Sequence, residues 1–190
     1  LLVLAEAQRI FREQGQDKRF ALHVPIHHVS LTMSGARQTM LALLQRFQPA
    51  ASSSIVVVLI GLESGAPHSR IVELTSALAN RCRAVVAMAP GLDFKMDRWK
   101  DTRLSGVAVD LSILANSNER LNIKQMSEFA SRLPGVAPAL LGYSVSNTAV
   151  LLASWSAGFT HVGGEVISRY SEGVLQPLRL DPIDIYQDKI

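Results

Sequence analysis

The sequence predicts an α/β fold built on a parallel sheet, and three observations lead there. Short apolar runs rich in Val, Ile and Ala alternate with segments of helical period. Those runs are continuous rather than interleaved with polar residues, as in parallel strands covered on both faces. The 190 residues, 48% apolar and 18% charged, fit one domain with a sizeable core. Six strand candidates suit either an open doubly wound sheet or most of a TIM-like β/α barrel. No G-x-G-x-x-G follows the first candidate, and Gly163-Gly164 alone is weak evidence for phosphate binding, so the barrel is favoured.

In chain order, Leu1 to Gln14 has the first helical pattern, running from an apolar start into the charged stretch Arg9 to Lys18. Phe20 to Val24 is the first strand candidate, ahead of Pro25. Gly35 to Arg46 reads as a helix ended by Pro49, and Ser54 to Ile60 as a strand followed by the loop glycines Gly61 and Gly65. Ser69 to Asn80 is helical in pattern; Ala84 to Met88 and Gly106 to Asp110 are strands. Asn122 to Arg132 forms a helix stopped by Pro134-Gly135. Ala139 to Tyr143, Asn147 to Ala157 and His161 to Gly163 close the series as strand, helix and strand. The tail from Val174, with Pro177 and Pro182, reads as extended and suited to packing back or to joining a partner. The expected organisation is therefore a β/α domain over residues 1–173 and a C-terminal extension over 174–190.

A net charge of +3 is spread along the chain without a Lys/Arg run, which argues against a nucleic-acid polymer or a direct membrane contact as partner. No apolar stretch reaches the ~18 residues of a spanning helix, and Leu1 to Ala7 lacks the basic start and cleavage site of a signal peptide. The lone Cys82 excludes an internal disulfide and, beside a Val/Ala-rich strand, reads as packing rather than as a nucleophile. A cytoplasmic protein is expected. A chain that opens on Leu rather than Met is read as part of a longer one.

Several clusters were weighed for chemistry. His23, His27 and His28 sit together at one strand end, with His161 on a later strand, in the residue types of a zinc or nickel site. Adjacent His27 and His28 point apart on an extended chain and no Cys or spaced acid joins them, so no metal is expected. Asp93, Asp97 and Asp101 would share one face if Leu92 to Thr102 were helical, but interleaved Lys95, Arg98, Lys100 and Arg103 make that face a solvated, ion-paired one. Met96 and Trp99 are weighed as packing or as an apolar contact to a partner. Ser144 and Ser146 lack a G-x-S-x-G elbow and a positioned base, and Trp155, on the side of Leu151 and Leu152, reads as core.

The run from Gly142 to Arg169 resembles the last strand-helix-strand unit of EAL domains, the bacterial family that hydrolyses or senses cyclic di-GMP. That family reads A-E-G-V-E-T, then a helix opening on Q-L, then L-G-C-D-Y-V-Q-G-Y-x-F-S-R-P. Val145, Leu151, Gly158, Val162, Gly164, Ser168 and Arg169 match it without a gap, while acidic and amide positions become Tyr143, Ser146 and Gly163. Further back, Leu22 to Val29 resembles the strand of V-N-L-S-A-R-Q-L, with His23 at the metal-binding Asn. Leu59 to Ser64 resembles L-E-L-T-E-S, with Glu63 kept and the metal-binding Glu replaced by Ile60. Ala87-Met88-Ala89-Pro90-Gly91 stands for D-D-F-G-T-G, and Val107-Ala108-Val109-Asp110 for L-K-I-D.

This resemblance implies an EAL-type barrel, incomplete at the N-terminus. The strand bearing E-A-L and the one before it have no counterpart, about 50 residues in β/α units. It also implies a degenerate enzyme, because two-metal phosphodiester hydrolysis needs hard oxygen ligands that Ile60, Ala87, Met88, Ala89, Ala108 and Ser146 lack. The expected function is a catalytically inactive regulatory or protein-interaction module, as a homodimer or with a protein partner, in cyclic di-GMP signalling; the alternatives are a receptor for cyclic di-GMP without hydrolysis and, last, an active phosphodiesterase. Neither cofactor nor metal is expected. His23, Glu63, Asp110, Tyr143 and Asn147 are the candidate ligand-binding residues.

Overall fold

The structure, a computed structural model, describes residues 21–46, 53–62, 65–114 and 119–168, together with Glu6 and Arg9. Its strands are β1 (Leu22–His27), β2 (Ile55–Ile60), β3 (Ala84–Ala89), β4 (Gly106–Asp110), β5 (Ala139–Tyr143) and β6 (His161–Val162). Between them run α1 (Ser34–Arg46), α2 (His68–Ala79), α3 (Glu119–Ala130) and α4 (Thr148–Ser156). The strands follow chain order in one six-stranded sheet with parallel pairings, so the α/β class expected from the sequence holds. Two compact units divide the chain: Leu1–Met88 with Asp101–Ser105, and Ala89–Lys100 with Gly106–Ile190.

In the first unit β2 is the most deeply covered strand: Ile55 to Leu59 are all at most 6% exposed. A run of β-branched residues suits this place, because parallel strands lose solvent on both faces. From α2, Ile71, Leu74 and Leu78 are each 1% exposed, on the i, i+3, i+7 stripe that a helix packed on a sheet requires. Glu73 on α2 accepts from Arg37 of α1 and from Arg70, both at 2.5 Å, an exposed cluster of small energetic value. Cys82 is half-buried and bonds the carbonyls of Leu78 and Ala84 at 3.2 and 3.3 Å. Burial pushes its thiol up to about 11, consistent with packing rather than nucleophilic chemistry.

β1 runs further than Phe20 to Val24, crossing Pro25 and ending at His27. Leu22 N–H donates to Ser54 O at 2.8 Å, which turns the even residues of β1 toward β2 and Pro25 toward the outer edge, where its missing N–H breaks no pairing. His23 is thus at the start of β1 and His27 at its finish, so the three histidines do not cluster at one strand end. At His28 the chain turns into a 3₁₀ helix, and the rings of His27 and His28 stack at 5.3 Å and 24° instead of pointing apart. Against His27 lies Gly61 at φ 80°, where a Cβ would stand 2.5 Å from His27 Nε2.

In the second unit α3 and α4 pack on each other, and β4 pairs with β5 and β5 with β6. Met126, Phe129, Leu140 and Val145 are wholly buried. α3 begins at Glu119, ahead of the expected Asn122, since good helix formers precede that Asn. The segment of spaced aspartates is not a long helix: only Met96–Trp99 forms a 3₁₀ turn, and Asp101 has φ 60°. Met96 and Trp99 are each 1% exposed, with Trp99 against Phe94 at 4.7 Å, so both are buried in the chain and unavailable as an exposed apolar contact. Arg132 bonds the carbonyls of Leu92 and Phe94, both at 3.2 Å, and pins that segment. Trp155 is only half-buried and Leu152 is 44% exposed, because α4 buries Val150, Leu151, Ala153 and Ser154 instead. Glu6 and Arg9 are helical and ion-paired; the rest of Leu1 to Gln14, and the tail 174–190, lie outside the described residues.

The pairing phase of β1 makes an asymmetric prediction. Val24→Pro removes an inward N–H and should cost about 3 kcal/mol or more, whereas Pro25→Ala should change stability by less than about 1 kcal/mol. Urea unfolding of the two variants checks this; equal losses would contradict the phase.

Candidate functional site

β4, β5 and β6 of the second unit finish side by side, and the register places Asp110 opposite Tyr143 and Gly142 opposite Val162. Leu111 N–H carries the pairing one residue on, donating to Tyr143 O at 2.9 Å. Asp110 then accepts from Ser112 N–H at 2.9 Å, an Asx-type turn that starts the 3₁₀ helix Ser112–Leu114. Ser144, directly after β5, adopts φ 58°, a left-handed conformation that few non-glycine residues take. Partial burial pushes the Asp110 carboxyl up, but bonds from Ser112 N–H and from the hydroxyls of Ser112 and Ser144 outweigh it and hold the pKa below the usual aspartate range.

The loops after β5 and β6 are joined through their backbones. Val145 N–H donates to Gly163 O at 3.1 Å, Gly163 N–H to Gly142 O at 2.9 Å, and Val166 N–H to Val145 O at 3.3 Å. Gly164 comes so close that a Cβ there would stand 2.2 Å from Val145 O and 2.3 Å from Val145 N. Only glycine fits that approach. Around this crossing lies a cavity of about 550 Å³ lined by Ser112, Tyr143, Ser144, Val145, Ser146, Gly163, Gly164 and Glu165. Its size is in the ~300–1,000 Å³ range of small-molecule sites. Tyr143 is half-buried, and burial raises its phenol to about 12, so it lines the cavity as a neutral, protonated group.

Of the candidate residues, Asp110 and Tyr143 are brought together here. Asn147 is the N-cap of α4: its Oδ1 accepts from Val150 N–H at 2.9 Å. His23 lies on β1 in the first unit, and Glu63 lies outside the described residues. Ser112, Glu165 and the glycine pair were not among the candidates, although Gly163-Gly164 after a strand was a usable signal. At the other positions where the resemblance puts metal chemistry, Ile60 ends β2 half-buried, while Ala87, Ala89 and Ala108 are buried at 0%, 2% and 0%. His161 is exposed, with Nδ1 2.9 Å from Thr160 Oγ1. Among the described residues, no three His, Cys, Asp or Glu gather where a metal ion could be held.

No protein-family model and no curated protein matches the chain. Solved structures do. The FimX EAL domain from Pseudomonas aeruginosa bound to c-di-GMP superposes with a TM-score of 0.67 at 19% identity, covering 86% of this chain and 65% of that one. The Bacillus subtilis YkuI protein, with an EAL domain, in complex with c-di-GMP and calcium, gives 0.71 at 15% identity, covering 98% and 47%. The EAL domain of Mycobacterium smegmatis DcpA gives 0.66 at 15% identity, covering 88% and 75%. The chain thus shares the EAL fold while spanning less than two thirds of the FimX and YkuI chains.

Two outcomes follow from this geometry. Gly164→Ala should lose about 1–3 kcal/mol or more in chemical denaturation, while Gly163→Ala, with nothing within 4 Å of its added Cβ, should be nearly neutral. Because the folded pKa of Asp110 is depressed, its contribution to stability is present above the unfolded value near ~4 and is lost as pH falls through the folded one. Unfolding free energies measured across that acidic window should rise with pH in the natural protein and rise less steeply in Asp110→Asn.

Proposed function

We propose that this chain is a non-hydrolytic regulatory module of EAL type in cyclic di-GMP signalling, acting through binding rather than turnover. The observation that carries this is the use made of the carboxylate at the end of β4. Asp110 accepts from Ser112 N–H, and β2 and β3 end in Ile60 and in Met88-Ala89. Hydrolysis by two metals needs several hard oxygen ligands converging on one point. Apolar side chains at those strand ends offer none. The module comprises residues 1–173 with 174–190 as an extension, works in the cytoplasm, and engages a second copy or another protein. No helix among the described residues is long and apolar enough to cross a membrane.

One observation favours the receptor form of this reading, in which cyclic di-GMP is bound and left intact. The cavity beside Asp110 and Tyr143 has the volume of a ligand site, and the FimX and YkuI structures that share the fold hold c-di-GMP.

Calorimetry and a turnover assay separate these forms. A receptor gives saturable heat at about 100 μM cyclic di-GMP, the level at which a micromolar site is filled. Absence of heat removes the receptor form and leaves the interaction module. Release of linear dinucleotide in Mn²⁺ above the protein-free rate would show that the reading as non-hydrolytic is wrong.

A further inference from the structure

α4 lacks what a helix at the surface ordinarily has. A helix that packs one face on a core turns charge to the other, yet Thr148–Ser156 contains no charged residue. Its inner side holds Val150, Leu151, Ala153 and Ser154, with Ser154 Oγ 3.6 Å from Met126 Sδ of α3. The other side carries Ala149, exposed, Leu152, 44% exposed, and Trp155, half-buried. At spacings of i, i+3 and i+6 these residues form an apolar strip open to solvent.

The tail has a pattern that fits such a strip. From Leu178 to Asp181 apolar and charged residues alternate, and Ile183-Asp184-Ile185 resumes the alternation after Pro182. Alternate residues of an extended chain share a side, so Leu178 lies with Leu180 and Ile183 with Ile185. Such a segment sets aliphatic side chains on a neighbour and leaves Arg179, Asp181 and Asp184 to water.

The tail can also reach. Val166 N–H donates to Val145 O at 3.3 Å and Ser168 N–H to Gly164 O at 3.2 Å, so the described chain stops beside Val145, just ahead of the N-cap Asn147 of α4. From there residues 169–174 span up to ~20 Å, whereas Leu152 lies only ~6 Å along the helix axis from Thr148.

From the uncharged strip, the alternating tail and the short path between them, we infer that residues 174–190 lie along α4 and cover Leu152 and Trp155. The tail is then part of the folded domain, and α4 is not the surface on which a second copy docks. This holds whether or not cyclic di-GMP is bound.

A double-mutant cycle in the full chain tests it, with Leu152→Gln on the helix and Leu178→Gln plus Leu180→Gln on the tail. Gln forms helix about as well as Leu, so a loss at residue 152 reports a lost contact and not a weakened helix. The helix variant and the tail variant should each lower the folding equilibrium constant by about tenfold in urea unfolding, the worth of roughly half a buried leucine. Combined, they should lose no more than the larger of the two, because either change already removes the contact. Acrylamide quenching of tryptophan fluorescence supplies a second reading: Trp99 is 1% exposed, so a rise in the tail variant reports Trp155 uncovered. Urea midpoints of the natural chain should not move over an about hundredfold range of protein concentration. A neutral Leu152→Gln, fully additive losses, or quenching unchanged by the tail variant overturns the inference. A midpoint that rises with protein concentration and loses that dependence in Leu152→Gln also overturns it, and gives the strip to a second copy.

Discussion

The backbone crossing of Val145 and Gly164 governs the shape of the candidate site. With a Cβ excluded at Gly164, the loop after β6 can lie against the loop after β5 and exchange hydrogen bonds with it through Gly163 and Val166. Those bonds fix where Ser144 and Ser146 emerge and which backbone donors are consumed. They also complete the pairing of β5 with β6, whose own ladder is short. A side chain at residue 164 would move the two loops apart and open the cavity to a different set of groups.

Asp110 is the electrostatic counterpart of that crossing. An acid at the end of a parallel strand, among EAL-like folds, invites a reading as a metal or ligand contact. Its surroundings give it another task. It ends the strand through the turn at Ser112.

The first unit has no equivalent polar centre among its described residues. β2 is sealed on both faces, Gly61 yields room for the ring of His27, and His27 stacks on a buried His28. The imidazoles here cover the end of β1 as flat, partly apolar surfaces. Pro25 completes the same picture from the edge side, where a missing N–H interrupts no ladder.

The sequence by itself determined the α/β class and the order of its strands. A strand covered on both faces must be continuously apolar, and that requirement is written locally, so Gly106–Asp110 and Ala139–Tyr143 were legible to the residue. The EAL resemblance was legible too, because Gly164 is held to its identity by a backbone approach that leaves no room for a Cβ. What only the tertiary structure decided was partnership. Asn147 caps α4, Met96 and Trp99 are buried, and β1 passes through a proline that read as a stop. Ser112, Ser144 and Glu165 became one cavity through the register of β4, β5 and β6. Periodicity reports whether a residue is buried, whereas the direction of a hydrogen bond between loops far apart in the chain depends on how the strands beneath them are aligned.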